Sequence, residues 1–417
     1  MRIAIIGAGA AGFFLAINLK KMLPESEITI FEKSKRVLAK VEISGGGRCN
    51  VTNSFDGIKD LKYAYPRGEK LMKRLFKVFS HKDAYRWFVE NGVELVTQED
   101  NCVFPKSQDS HSIINCFLSQ ASVMKINIRK ECKVSIENNN DKTAESPITL
   151  HISTSTGKEE TITYDAVAIT TGGSPRREGL EWIERLGHKI VQPVPSLFTF
   201  NIRCQQLRNL MGTVVENAIA SIPSTKFRSQ DPLLITHWGM SGPAILKLSS
   251  YSARHLYDNN YKSELSINWT GIINYEQTTE ELTRIIEENP GKKISSIRPY
   301  NLPSRLWNYL IERTLIDENK RWNELGKKNI NKLVNTLVND IYHIEGRSAF
   351  KEEFVTCGGV SLESVNSNTL ESKSVPNLYF AGEVLDIDAI TGGFNFQAAW
   401  TTAYTVAKAI KEKNEER

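Results

Sequence analysis

The feature that most constrains this chain lies at its start. Arg2 to Ile6 is an apolar β-type run, Gly7-x-Gly9-x-x-Gly12 follows at once, Ala10 to Leu23 reads as a helix stopped by Pro24, and Ile28 to Glu32 reads as a returning strand. Such a βαβ unit needs a right-handed crossover and a parallel sheet. The glycine spacing has a mechanical reason: Gly7 permits the tight turn, Gly9 lets backbone approach a pyrophosphate, and Gly12 lets helix and strand pack while the helix N-terminus faces the phosphates. Glu32, twenty positions after Gly12, ends the second strand, where an acid accepts the hydroxyls of an adenosine ribose. The fingerprint specifies a dinucleotide, NAD or FAD alike; the alternative is a glycine turn without a ligand.

At 417 residues the chain is long enough for two or three domains. A hydrophobic share of 40% and a charged share of 24% fit a globular protein, and no run of eighteen apolar residues offers a membrane span. Ile3 to Ile6 is too short for a signal-peptide core, so a cytoplasmic protein is expected. The six cysteines include no Cys-x-x-Cys pair, which excludes a zinc cluster and a dithiol redox centre and leaves no metal site expected.

Around Val134 to Thr163, alternating β-type runs flank the polar stretch Glu137 to Ser146, the pattern of a β-meander. The strand Ala166 to Thr170 ends at Gly172-Gly173, and Pro193 and Pro195 mark an exit from the first domain. The expected organisation is a first part of a nucleotide-binding domain at 1–191, a β-rich insert at 192–274, a helical insert at 275–340, and the second part of the first domain at 341–417.

Two further segments carry chemistry. Ile43 to Asn53, ISGGGRCNVTN, is a glycine-dense loop able to wrap an extended cofactor; its alternative is a surface loop. Leu378 to Glu383 ends a strand at a Gly-acid pair, and Ile390-Thr391-Gly392-Gly393-Phe394-Asn395-Phe396-Gln397 precedes a long helix, Phe396 to Ile410. That helix N-terminus can aim its positive end at the pyrimidine edge of an isoalloxazine.

Taken in order and spacing, GAGAAG, SGGGRCNVTN, LLITHWGMSGPAIL, FVTCGGV and AGEVLDIDAITGGFNFQAAW resemble the YhiN/BaiN family of bacterial FAD-binding flavoproteins over nearly the whole chain. The resemblance implies an α/β fold: a Rossmann-like, two-dinucleotide-binding-like FAD domain built from both termini and interrupted by a β-barrel-like and a helical insert. It also implies that FAD contacts Gly7, Gly9, Ala11, Gly12, Glu32, Lys33, Arg48, Asn50, Thr52 and Asn53 on the N-terminal side. Val134 would offer its backbone to adenine, and Gly172 and Gly173 would lie near the cofactor. Gly382, Glu383, Asp386, Gly393, Asn395, Phe396 and Gln397 would complete the flavin end. No second GxGxxG follows a strand, so NAD(P)H is expected only as a transient electron donor.

The resemblance also implies a choice of substrates: a uridine of large-subunit (23S) ribosomal RNA reduced to dihydrouridine, a steroid enone of bile-acid metabolism, or a small amine such as aminoacetone. It places Thr236 to Pro243 near the flavin, where His237 can act as proton donor or can simply hold the turn by hydrogen bonds. Cys49 is a second candidate donor, against the alternative of a packed thiol. Between Lys59 and Glu90 nine Lys/Arg face four Asp/Glu, and Leu71, Met72, Leu75, Phe76 and Phe79 share one helical face opposite Lys70, Lys73, Arg74 and Lys77. With Tyr63, Tyr65, Phe76, Tyr85 and Trp87 interleaved, and a second lysine-rich region around Lys320 to Lys332, this favours an RNA partner. The alternatives are a solvated helix face with core aromatics, a small-molecule oxidoreductase with a closed apolar pocket, and an RNA-binding factor without turnover.

Overall fold

The computed structural model describes residues 1–137, 146–347 and 355–416. Most of the polar stretch between Glu137 and Ser146, and Phe354 at the head of FVTCGGV, therefore lie outside the described residues. The chain divides into two compact units, Met1–Pro195 with Lys351–Arg417, and Ser196–Phe350.

The first unit is built on a five-stranded sheet in the spatial order Leu378–Phe380, Ala166–Ile169, Arg2–Ile6, Glu27–Phe31 and Asn127–Arg129. Every pairing in it is parallel, Ile3 facing Ile28 on one side and Ala166 on the other. Parallel strands buried on both faces need continuous apolar sequence, and Ile3, Ala4, Ile5, Val167, Ala168 and Ile169 are all inaccessible. Because the strands run the same way, Gly7, Glu32, Thr170 and Ala381 follow four of them at the carboxyl edge, where open α/β sheets place their ligands.

Two helices cover this sheet. The first, Ala10–Met22, packs along the C-terminal helix Phe394–Glu415. Between them Phe14 has its ring centroid 5.2 Å from Trp400, 4.6 Å from Trp87 and 5.5 Å from Phe79. Each such fully buried aromatic contributes roughly 1.5–3 kcal/mol. The C-terminal segment is thus part of the first domain's core. The expected meander is present as an antiparallel sheet of Cys132–Ile136, Ile148–Thr154 and Glu159–Tyr164. The expected boundary after 191 falls inside a strand, Ile190–Ser196, which pairs with Val355–Val360.

The second unit holds a seven-stranded antiparallel sheet whose order runs Asp340–Ile344, Ser263–Asn268, Val214–Ser221, Arg228–Ile235, Gly239–Ser241, Phe200–Asn201, Gly346–Arg347. Its two edge strands are separated only by Glu345, so the sheet curls until its edges meet, the barrel-like form the family resemblance implied. The helices Tyr275–Glu288, Ser304–Arg313 and Gly326–Val338 lie between the paired strands Ser263–Asn268 and Asp340–Ile344. The β-rich and helical segments, expected as separate inserts, therefore share one unit. A buried polar cluster ties them, with Asp340 accepting from Trp269 Nε1 at 3.0 Å, Tyr342 Oη at 2.5 Å and Arg313 Nε at 2.9 Å.

Candidate functional site

The glycine turn behaves as its spacing requires. Gly7 has φ +116°, and a Cβ there would stand 2.5 Å from the Thr170 carbonyl oxygen. A Cβ on Gly12 would stand 2.0 Å from the Gly7 oxygen, whereas one on Gly9 would meet nothing within 4 Å. Two glycines are thus forced by packing, and the third opens onto free space above the helix N-terminus. That terminus carries no side-chain cap, so its backbone N–H groups face outward. Glu32 stands beside it, Oε2 accepting from the Ala8 N–H at 3.0 Å and Oε1 from Ser34 N–H at 2.9 Å and Ser34 Oγ at 2.8 Å. Lys33 is fully on the surface side, exposed. Val134 lies two residues beyond Cys132, whose N–H donates to the Glu32 carbonyl at 2.8 Å.

The segment expected as a glycine-dense loop is partly helical. Ala39–Gly47 is helical up to a kink at Ser44, after which Gly45 and Gly46 take left-handed φ of +57° and +67°. Arg48 is built into this turn, donating to the Gly45 carbonyl at 3.1 Å and to Gln108 Oε1 at 3.2 Å, its guanidinium 4.2 Å from the centre of the Phe104 ring. Cys49 is inaccessible and burial pushes its thiol up to about 12, the behaviour of a packed thiol.

Asn50, Thr52 and Asn53 meet the start of the C-terminal helix. Asn50 accepts from the Gly393 N–H at 3.1 Å and donates to the Thr52 carbonyl at 2.8 Å. Asn53 donates to the Gly392 carbonyl at 3.0 Å, and Thr52 Oγ1 donates to Gln397 Oε1 at 2.6 Å. Gly393 has φ +87°, and a Cβ there would lie 2.3 Å from the Thr52 oxygen, so only glycine allows this approach. Asn395 clasps its own loop, accepting from Ala389 N–H at 2.9 Å and donating to Ala389 O at 3.0 Å. Phe396 stacks on Trp400, 5.5 Å between centroids, and Trp400 Nε1 donates to the Val51 carbonyl at 2.8 Å. Two segments more than three hundred residues apart in sequence thus form one surface.

Gly382 joins this surface to the glycine turn: its φ is +79°, and a Cβ on it would come within 2.9 Å of the Ala11 Cβ. Glu383 accepts from the Thr356 N–H at 2.8 Å and pairs with Lys40 at 2.9 Å. A Cβ on Gly173 would lie 2.5 Å from Glu383 Oε1, and Gly172 has φ +74°. Asp386 donates its N–H to Val360. These residues, with the uncapped first helix and the open space above Gly9, fit an extended dinucleotide with a flavin head: the donor set is backbone N–H groups and amides, the acceptors are carboxylates.

His237 belongs to the second unit, on the turn between Arg228–Ile235 and Gly239–Ser241, exposed beside Trp238 with 4.7 Å between ring centroids. In the basic region Lys70, Lys73, Arg74 and Lys77 are exposed on the helix Glu69–Leu75 and the turn after it. The aromatics divide: Tyr63 and Tyr85 are exposed, while Tyr65 and Trp87 are core and Phe76 packs against Phe55 at 5.2 Å. As stacking surfaces for bases, Tyr65, Phe76 and Trp87 are thereby corrected to packing. Lys327, Lys328 and Lys332 are exposed in the second unit.

Lys40, Thr356, and the buried pair Arg67–Asp388 went unmarked in the sequence. Lys40 sits in an unremarkable helical turn. Asp388 lay in plain view inside AGEVLDIDAITGG, but its partner is 321 residues away. A lone arginine before a glycine, Arg67-Gly68, carries no signal that it is buried.

Comparison with known proteins bears on the family and the fold. The model of the HI0933-like protein Rossmann domain matches residues 1–409. A ribosomal RNA dihydrouridine synthase of Haemophilus influenzae (strain ATCC 51907 / DSM 11121 / KW20 / Rd) is 28% identical over 98% of both chains. A 3-dehydro-bile acid delta(4,6)-reductase of Clostridium scindens (strain ATCC 35704 / DSM 5676 / VPI 13733 / 19) is 23% identical over 99% of both. A ribosomal RNA dihydrouridine synthase of Escherichia coli (strain K12) is 26% identical over 97% of both. Among solved structures, 3-ketosteroid delta1-dehydrogenase from Sterolibacterium denitrificans aligns with a TM-score of 0.54 at 11% identity over 99% of both chains, a likeness of fold. A glycine turn and an acid after the neighbouring strand lie at the carboxyl edge of a parallel sheet, in a chain matched almost end to end by the family. This protein therefore belongs to the HI0933-like Rossmann-domain family and is an FAD-dependent oxidoreductase.

Proposed function

We propose that this oxidoreductase is an NAD(P)H-driven reductase that saturates the C5–C6 bond of a uridine in 23S ribosomal RNA. The observation that carries the reading is the exposed face of Lys70, Lys73, Arg74 and Lys77, taken with full-length similarity to two proteins named ribosomal RNA dihydrouridine synthase. A row of cations tracks a phosphate backbone, and the neighbouring exposed Tyr63 offers a stacking surface.

In this reading FAD, when bound, supplies hydride transfer. Gly7, Gly9, Ala11 and Gly12 would hold its pyrophosphate, Glu32 and Lys33 its ribose, and Val134 its adenine. Arg48, Asn50, Thr52, Asn53, Gly172, Gly173, Gly382, Glu383 and Asp386 would hold its middle, and Gly393, Asn395, Phe396 and Gln397 its flavin head. Asn50, Thr52, Asn53 and Asn395 act by fixing the loop and helix start through the bonds described above. Saturating uracil needs a hydride at C6 and a proton at C5. His237, exposed on its turn, is the proposed proton source.

The test is anaerobic: reduce the holoprotein with NADPH or NADH, add deproteinised ribosomal RNA from cells lacking this gene, and follow flavin reoxidation together with dihydrouridine by mass spectrometry. Reoxidation with one new dihydrouridine is the expected result. The similarity to a bile-acid reductase favours a second reading, reduction of a small conjugated enone. A reduced protein that ignores RNA but is reoxidised by a steroid enone selects it.

A further inference from the structure

The stretch from Gly382 to Gly393 contains no helix or strand, yet it determines where the C-terminal helix begins. It is held by a segment remote in sequence. The Ala64 carbonyl accepts from the Ile390 N–H at 2.9 Å, and Tyr65 Oη donates to the Phe394 carbonyl at 2.9 Å. Arg67 and Asp388 form an antiparallel bridge in the backbone, and the Arg67 guanidinium grips the Asp388 carboxylate through two contacts, Nε to Oδ1 at 2.6 Å and Nη2 to Oδ2. Gly68, with φ +80°, admits Ile387: a Cβ there would stand 2.8 Å from Ile387 Cγ1.

The Asp388 side chain is 0% exposed and that of Arg67 15%. Burying two opposite charges is an inefficient way to stabilise a fold, because desolvation offsets most of their attraction and apolar replacements often do as well. A two-point guanidinium–carboxylate contact does provide direction, fixing both groups in one geometry. This one lies five residues before Gly393, and the basic helix begins two residues after Arg67.

We infer that Arg67 and Asp388 are positioning residues, a latch that fixes the loop 385–393 and thereby sets the N-terminus of the C-terminal helix against the flavin. The inference rests on the reading that Gly393 and Phe396 border the flavin head. With the latch intact, the positive end of the helix stabilises negative charge on the flavin ring. With it broken, the loop shifts, FAD is held less tightly and its potential becomes more negative.

The experiment compares full-length Asp388→Asn, Arg67→Lys and Phe396→Ala proteins with Asp340→Asn, which cuts the buried Arg313–Asp340 pair of the other unit. Each is measured for FAD dissociation constant by flavin fluorescence, for flavin midpoint potential by anaerobic titration, and for thermal midpoint. Asp388→Asn and Arg67→Lys are expected to weaken FAD binding about tenfold or more, the scale seen when outer-shell partners of bound metals are lost, and to lower the potential. Asp340→Asn is expected to lower the thermal midpoint only. The latch is overturned if both latch variants keep the parent's affinity and potential, or if Asp340→Asn moves them equally. Should Asp388→Asn fail to fold, Arg67→Lys, which keeps the charge and loses the fork, decides alone. If Phe396→Ala also changes nothing, the flavin placement fails with the latch; if Phe396→Ala weakens FAD while the latch variants do not, the latch fails by itself.

Discussion

At Gly12 a single hydrogen atom stands where any other residue would place carbon 2.0 Å from the Gly7 oxygen. Gly12→Ala must open the turn or displace the helix, at about 1–3 kcal/mol. The expected protein purifies without flavin absorbance, a result read directly from its visible spectrum. His188 gives a second expectation. It is 2% exposed, its Nε2 2.7 Å from Ser372 Oγ and its Nδ1 3.1 Å from the Ile183 carbonyl. Burial lowers its pKa, the Ile183 carbonyl pulling weakly the other way. The unfolded chain therefore takes up this proton first. Stability is complete above the ordinary histidine pKa of about 6.5 and falls as pH drops from there toward the lower folded value. The thermal midpoint should fall between pH 7.5 and 5.5, and His188→Gln should flatten that fall; an unchanged slope removes His188 from the cause. Residues of this kind separate what sequence shows from what it hides. Gly7 and Gly12 were legible because a tight turn and the packing of helix on strand each demand glycine at one spacing. Cys49 was legible only as an alternative, settled by its burial. Arg67 and Asp388 were invisible because a buried ion pair has no local signature: each looks like an ordinary surface charge until the fold brings them together.

Among the elements, the helix Glu69–Leu75 shows amphipathicity read correctly and aromatics read too generously. Leu71, Met72 and Leu75 face the core as their spacing predicts, but the aromatics of the same region were credited with stacking while Tyr65 and Trp87 belong to that core. Spacing reports the face of a helix; it does not report which side of a turn an aromatic takes. Replacing Lys70, Lys73 and Lys77 together with Glu changes only exposed positions, so the thermal midpoint should hold. Binding to a ribosomal RNA fragment, measured by filter retention across salt concentrations, should weaken, and three lost phosphate contacts should reduce the log–log salt slope by about 2. A slope that does not move excludes this face from RNA contact. The helix Ala39–Gly47 was missed for a related reason, since its three glycines suggest a loop although they only end a short helix.

On the scale of the whole molecule, the first domain is discontinuous, as the motifs near both ends of the chain implied when 341–417 was expected to rejoin it. The shared unit formed by the β-rich and helical segments was not legible, because the strand Asp340–Ile344 that pairs back across the helices is short and lies beyond them. A chain ending at Asn377 would lack both the strand beside Ala166–Ile169 and the helix that covers Phe14. It is expected to be insoluble or to lack FAD entirely; a soluble, flavin-bearing truncation would show that the core closes without its C-terminal part. The same arrangement has a consequence for how the protein is made. Ala166–Ile169 leaves the ribosome more than two hundred residues before its partner Leu378–Phe380. At translation rates of about 5–20 residues per second, that strand waits roughly 10 to 40 s with an open hydrogen-bonding edge. For that interval the nascent chain presents an apolar, ready-to-pair edge to its surroundings. Closing this sheet thus waits for the arrival of a strand, and a synonymous codon change that slows translation between 170 and 378 would lengthen the exposure without altering one residue of the finished protein.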